Sequence, residues 1–259
     1  PIGASTNPEK LGFKILKNII DGGYKGKIFP VNPKADEILG LKCYKSVSEI
    51  EEKVELSVIA IPAKFVCDVA EECGKKGIRF ITVISAGFKE VGGEGIGREK
   101  RLVEICRKHR MRLLGPNCLG FIDTYTPINA SFSAKMPKKG GIAFISQSGA
   151  LCSAILDWSE ERGIGFSKFI SLGNKADLDE TDFIREAGRD KNTKVILLYL
   201  ESVERGRDFL KTVREVSKIK PIVVLKGGIT EVGARAATSH TGAAAGSFTA
   251  YKTAFEQGN

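Results

Sequence analysis

Apolar runs of strand length alternate with segments whose apolar residues recur at helical spacing along most of the chain. In the first half this pattern predicts helix Lys10–Asp21, strands Lys27–Val31 and Leu56–Ile61, helix Lys64–Lys76, strand Phe80–Ser85, helix Gly97–Arg110 and strand Met111–Leu114. The first helix gathers Leu11, Ile15, Leu16, Ile19 and Ile20 on one face, which is expected to cover a sheet. The second half repeats the alternation: strand Gly141–Ser146, helix Gly149–Arg162, strand Phe166–Ile170, helix Thr181–Gly188, strand Lys194–Leu200, helix Arg207–Ile219 and strand Pro221–Leu225. Strand, helix, strand in repetition is the signature of right-handed crossover units on a parallel sheet. The expected fold class is therefore α/β, with two consecutive doubly wound parallel-sheet domains. Between the halves, Asp123–Gly140 is rich in Pro, Lys and small polar residues without a sustained period. Residues 125–140 read as a linker, which leaves 1–124 and 141–259 as the two domains.

Composition narrows the class. A chain of 259 residues with 42% hydrophobic content can bury a sizeable core. No apolar run approaches the ~20 residues a spanning helix needs, and no signal peptide opens the chain, so a cytoplasmic protein with no membrane partner is expected. The six cysteines are scattered without a C-x-x-C pair, which predicts reduced core thiols and no metal site. The formal charge of +9 suits an anionic ligand such as a nucleotide or an acyl phosphate, or else solvated helix faces. Basic residues are not interleaved with aromatic ones, which argues against nucleic acid. Pro1-Ile2-Gly3-Ala4-Ser5 reads as the last part of a strand and its turn, and Gly258-Asn259 follows directly on a helix; a longer polypeptide is expected at both ends.

Two sets of loops carry candidate chemistry. In the first lobe, Gly3-Ala4-Ser5, followed by Lys10, lies at a strand-to-helix junction where backbone amides and a helix N-terminus can meet a diphosphate. The full G-x-G-x-x-G fingerprint is absent, so a purely structural tight turn is the alternative. Where a carboxylate would meet the ribose diol of NAD, the chain has Val31-Asn32-Pro33-Lys34. Lys34 complements a phosphorylated ribose, either the 2′-phosphate of NADP or the 3′-phosphate of coenzyme A, or else is a solvated lysine on a turn. Ile61-Pro62-Ala63, Ser85-Ala86-Gly87 and Asn117, in Gly115-Pro116-Asn117-Cys118-Leu119-Gly120, follow the ends of strands and complete the candidate ligand set. Cys118 as a nucleophile has no histidine nearby in sequence, and a packed thiol is the simpler reading.

In the second lobe, strand Gly141–Ser146 runs into Gln147-Ser148-Gly149-Ala150 and a helix. Ser148 as N-cap and Gly149 in the first turn form a phosphate cradle; the G-x-S-x-G spacing of a nucleophile elbow is missing. The strand ending at Leu200 delivers Glu201 to the ligand edge of the sheet, as an orienting acid or an ordinary exposed one. His240 stands in Ser239-His240-Thr241-Gly242, a small, hydroxyl-rich loop. Its imidazole is either a phosphoryl acceptor, with Glu201 taking the proton of the other ring nitrogen, or a loop histidine satisfied by hydrogen bonds. His109 reads as a residue at a helix C-terminus.

Taken together and in order, Gly3-Ala4-Ser5, Val31-Asn32-Pro33-Lys34, Gly115-Pro116-Asn117-Cys118-Leu119-Gly120, Ser146-Gln147-Ser148-Gly149 and Ser239-His240-Thr241-Gly242 resemble the NDP-forming acyl-CoA synthetases, the family that includes the succinyl-CoA synthetase α subunit. The resemblance covers nearly the whole chain and is nearest to the ADP-forming acetate-CoA ligases. It implies a Rossmann-like domain that holds coenzyme A, then a flavodoxin-like domain carrying a phosphohistidine at His240. Catalytic residues would be His240 and Glu201, with Ser146, Gln147, Ser148, Gly149, Ala150, Ser239, Thr241 and Gly242 around the phosphoryl group. Inorganic phosphate, acyl phosphate and CoA would be the ligands. ADP or ATP with Mg would be bound by an ATP-grasp domain not found in this sequence, fused or on a β subunit, in an oligomeric assembly. The alternatives are a CoA-binding regulatory module of a synthetase-like protein acyltransferase and an NADP-dependent oxidoreductase.

Overall fold

The computed structural model describes residues 1–228 apart from residue 134. In chain order the elements are α1 (Leu11–Asp21), β1 (Glu37–Ile38), β2 (Leu41–Lys42), β3 (Leu56–Ile59), α2 (Ala63–Lys75), β4 (Phe80–Val83), α3 (Glu94–Lys108), β5 (Arg112–Leu114), β6 (Gly120–Asp123), β7 (Ile128–Ser131), β8 (Lys139–Ser146), α4 (Gly149–Arg162), β9 (Phe166–Ser171), α5 (Glu180–Arg189), β10 (Val195–Leu200), α6 (Gly206–Ser217) and β11 (Ile222–Lys226).

In the first lobe β3, β4 and β5 pair in parallel, and single parallel bridges continue the sheet from Ile59 to Ile2, from Ile2 to Val31 and from Val31 to Tyr44. The chain thus runs outward from Ile2 in both directions. The place where the strand order reverses lies just before the Gly3 turn, which is where open α/β sheets bind ligands. The expected strand Lys27–Val31 shrinks to the bridge at Val31. Pro30 has no amide to donate, and a short antiparallel hairpin, β1 with β2, follows in the same connection. Ile15, Leu16 and Ile19 of α1 are buried, at roughly 1.5–3 kcal/mol of hydrophobic stabilisation each. Leu11, expected on that face, is 46% exposed.

The second sheet has the order β11-β10-β8-β9-β6-β7. The four strands β11, β10, β8 and β9 are parallel, as the alternation predicts, and β8 sits between β9 and β10, so the strand order reverses at the carboxyl end of β8. Phe144, Phe166 and Phe169 stack beneath α4, with Phe144 and Phe169 centroids 4.8 Å apart. The hairpin β6–β7 adds an antiparallel edge, and here the linker expectation for 125–140 is corrected: that segment carries β7 and leads directly into β8. Asn129 and Ser131 made it read as loop, yet β7 is wholly buried. The two side chains satisfy one another, Ser131 Oγ lying 2.6 Å from Asn129 Oδ1.

The hairpin also joins the lobes. Asn18 of α1 donates to the Ser131 and Ser133 carbonyls at 2.9 and 2.5 Å. One apolar cluster runs from Ile15, Val58 and Ile84 of the first lobe to Ile145, Ile170 and Leu198 of the second. No described helix is long and apolar enough to cross a membrane.

Candidate active site

The Gly3 turn is built by close packing. A Cβ at Gly3, whose φ is +85°, would lie 2.4 Å from the Ala60 carbonyl oxygen. A Cβ at Gly12 would lie 1.8 Å from the Gly3 carbonyl oxygen. Gly12 therefore lets α1 seat directly on the turn, a function that the incomplete glycine fingerprint concealed. No side chain caps α1, so its first amides keep their donors for a ligand. Asn32 braces the turn from the side, donating to Ala4 O at 2.6 Å and accepting from Lys34 N at 2.8 Å. The Ser85 hydroxyl accepts from Ile61 N and donates to Ile61 O, at 3.1 and 2.6 Å, and so fixes the neighbouring loop.

These segments enclose a cleft of about 630 Å³. Of the residues expected to hold a cofactor, Gly3, Ala4, Ser5, Lys10, Asn32, Lys34, Ile61, Pro62, Ser85 and Ala86 line it. Val31 is buried in the sheet behind it. Ala63 and Gly87 do not line it but pack on one another, a Cβ on Gly87 falling 2.9 Å from that of Ala63.

Leu11, Ile84, Ser85 and Ala86 are shared with a second cleft of about 520 Å³, which runs into the second lobe. Asn117 belongs to this second cleft, with Gln147, Ser148, Gly149 and Ala150 from the β8–α4 junction. Ser148 caps α4, its hydroxyl accepting from Leu151 N at 3.2 Å. A Cβ at Gly149 would meet no atom, so the glycine leaves the helix N-terminus open to the cleft, where an anion gains ~0.3–2 kcal/mol.

Two expected phosphate ligands have their polar groups turned inward. Ser146 is fully buried and does not line the cleft; its hydroxyl accepts from Ser148 N and donates to Ser148 O, each at 3.0 Å. Gln147 spends its whole amide on the β10 loop. Its Nε2 donates to Ser202 O and Glu180 Oε2 at 2.7 and 3.2 Å, and its Oε1 accepts from Glu201 N and Ser202 N at 2.7 and 3.0 Å. Both residues shape the site; their side chains have no capacity left to bind phosphate. Arg205 anchors the far end of the same loop through Asp179 and Asp182, which form a capping box on α5.

Glu201 is partly buried, and among the described residues its Oε2 accepts no hydrogen bond. Burial, with the nearby Glu201 carboxylate, raises the Tyr199 phenol above its ordinary range. Lys226 donates to Glu201 O at 2.8 Å, and its burial lowers its pKa. His240, Ser239, Thr241 and Gly242 lie outside the described residues. The Cys118 thiol is buried, points at Val83 O at 3.4 Å and is pushed up to about 12 by desolvation, which removes it as a nucleophile. His109 caps the end of α3, with Nε2 3.1 Å from Glu71. No group of three or more His, Cys, Asp or Glu among the described residues could hold a metal ion.

Periodicity did not reveal the junction between the clefts. Asn174 of the second lobe donates to Glu90 and Glu99 of the first at 2.6 and 2.8 Å. Burial works against the Glu90 carboxylate, but the Asn174 amide and the Gly87 and Phe88 amides prevail and lower its pKa. Burial raises that of Glu99. Beside them, Lys175 and Glu180 form a buried pair.

Comparison with known proteins agrees with this geometry. Residues 2–124 match a CoA binding domain, and residues 139–259 match the succinyl-CoA ligase like flavodoxin domain. The chain is 51% identical over 256 residues to the ADP-forming acetate–CoA ligase I of Archaeoglobus fulgidus, covering 99% of this chain and 37% of that protein. It is 49% identical over 260 residues to the α subunit of the ADP-forming acetate–CoA ligase I of Pyrococcus furiosus, covering 99% and 56%. The structure of acetyl-coenzyme A synthetase 1 of Ca. Korarchaeum cryptofilum, in complex with phosphate and ADP, superposes with a TM-score of 0.96 at 47% identity, covering 99% of this chain and 55% of that one. The chain thus spans between about a third and just over half of the length of these relatives. With residues 2–124 and 139–259 matched by these two domain models and relatives 51% and 49% identical over nearly its whole length, the chain belongs to the NDP-forming acyl-CoA synthetases, as their CoA-binding and flavodoxin-like α-type part.

Proposed function

We propose that this chain is the α-type part of an ADP-forming acid–CoA ligase, and that the observation carrying this reading is the junction of its two clefts. One cleft offers lysines and free helix amides to a phosphorylated nucleotide; the other offers a capped helix N-terminus to a phosphoryl group; Ser85 and Ala86 belong to both. Coenzyme A lies in the first with its thiol end toward the second. In the direction of ATP synthesis, inorganic phosphate attacks the thioester carbonyl, the C–S bond breaks and an acyl phosphate forms as CoA leaves as the thiol. The imidazole of His240 then attacks phosphorus, releasing the carboxylic acid and leaving a phosphohistidine. Glu201 holds the proton of the other ring nitrogen, which suits an Oε2 that accepts no hydrogen bond among the described residues. The phosphoryl group passes to ADP, with Mg, on an ATP-grasp domain of the same protein or of a partner subunit. The two half-sites belong to the two lobes, with the second sheet beginning at β6, Gly120–Asp123.

Incubation of the enzyme with acyl phosphate, or with acyl-CoA and labelled phosphate, is expected to place an acid-labile, base-stable label on His240. Absence of label with CoA still bound would support the CoA-binding regulatory module instead. Lys34→Ala is expected to weaken CoA roughly tenfold while barely affecting dephospho-CoA, because a charge-assisted contact to the 3′-phosphate is lost. Equal loss for both ligands in calorimetric titration would remove Lys34 from that role. Glu201→Gln is expected to slow formation of the phosphohistidine by roughly 10- to 100-fold with an unchanged melting temperature. A wild-type rate in rapid quench would end the orienting role.

A further inference from the structure

The turn Gly173-Asn174-Lys175 stands between the lobes and is gripped from both. A Cβ at Gly173 would lie 2.2 Å from the Pro116 carbonyl oxygen, and Lys175 holds a left-handed φ of +50°, a conformation that costs energy in any residue with a side chain. Asn174 N donates to Pro116 O at 2.8 Å and Ala176 N to Gly115 O at 3.1 Å, while the Asn174 side chain reaches Glu90 and Glu99. The backbone of Lys175 is therefore registered against the first lobe.

Its side chain points the other way. The side chain is 5% exposed, and its ammonium donates to Ser202 O at 2.9 Å, to Ser202 Oγ at 3.4 Å and to Glu180 Oε2 at 3.3 Å. An ammonium has three protons, and these partners take all of them. Lys175 lines the cleft yet keeps no donor for a phosphate. Stability is a weak reason to keep such a pair, because apolar replacements of buried ion pairs are often neutral or better. Its geometry serves the β10 loop: Gln147 holds the two amides of Glu201 and Ser202, and Lys175 holds the carbonyl and hydroxyl of Ser202.

We infer that Lys175 is a positioning residue for phosphoryl transfer, holding the Glu201–Ser202 turn at a fixed place relative to the first lobe. This rests on the reading that Glu201 orients His240. In the full-length enzyme with its ATP-grasp part, Lys175→Met is expected to slow phosphorylation of His240 by acetyl phosphate on the order of 10- to 100-fold, with CoA affinity unchanged and faster amide exchange at residues 201 and 202. Lys175→Arg restores part of the rate. The double variant K175M/E180Q carries no unpaired buried charge, so it folds even where the single variant does not, and it is expected to keep the defect. A double variant with wild-type transfer would overturn the proposal by showing that Lys175 only neutralises Glu180. Wild-type protein that accepts no label overturns the proposed function and this inference with it; labelled wild type beside an equally labelled K175M overturns this inference alone.

Discussion

Replacing His240 by alanine is expected to abolish phosphoryl transfer while CoA binds as before. The fall is expected to exceed about 10⁴-fold, the scale seen when a covalent nucleophile is removed from a site that otherwise stays intact. Nothing described in the cleft can take over. The Ser148 hydroxyl is committed to capping α4, the Cys118 thiol stays protonated with a pKa of about 12, and the Lys175 ammonium is shared between Glu180 and Ser202. The cradle around the anion would survive, because Ser148 and Gly149 belong to the β8–α4 junction and not to the histidine loop. Label mapping and CoA titration on one preparation check both halves of the prediction. Substantial label on H240A protein would mean that the phosphoryl acceptor lies elsewhere.

The second large effect concerns stability as well as binding. Gly12→Ala adds a single carbon where the nearest neighbour is a backbone oxygen 1.8 Å away, the Gly3 carbonyl, with the Gly3 carbonyl carbon at 2.7 Å. Backbone cannot rotate aside as a flexible side chain does, so α1 must lift off the turn. Overpacking of this kind costs on the order of 3 kcal/mol, and it moves the uncapped amides of α1 away from the ligand. A drop in melting temperature of roughly 6–12 °C is expected, with loss of measurable CoA binding. Gly97→Ala is the control: it lies in α3, an added Cβ there meets no atom, and intrinsic propensity predicts a gain of up to about 1 kcal/mol. If G12A melts like the wild type and binds CoA, helix and turn are not packed as described.

Much of this was legible in the sequence. The expected helices and the strands other than Lys27–Val31 lie within three residues of the observed ones, since each buries one face and the apolar spacing records that face directly. The hairpin β6–β7 escaped notice because its buried positions include Asn129 and Ser131, whose polar groups are satisfied by each other and by the Lys135 carbonyl. The candidate site divides in the same way. Residues on loops at the carboxyl ends of strands could be named from chain order, and ten of the expected cofactor residues do line one cleft. Which of their atoms are free could not. Ser146, Gln147, Asn32 and Ser85 all look like ligands by residue type, and each has its side chain engaged in holding a neighbouring loop.

By itself, then, the sequence determined the α/β class, the order of the elements and the loops where anions would be met, because these follow from local periodicity and from the ends of strands. Tertiary structure alone decided that the linker would become a sheet edge, that Gly12 would carry the glycine turn, that Gln147 and Lys175 would both grip Ser202 of the β10 loop, and that two clefts would share a wall. Those outcomes depend on which donor finds which acceptor across long stretches of chain, as in the bonds from Gln147 to Ser202 and from Asn18 to Ser131. Local pattern carries no record of such pairings; only closure of the core, which brings the partners together and shuts out water, selects them.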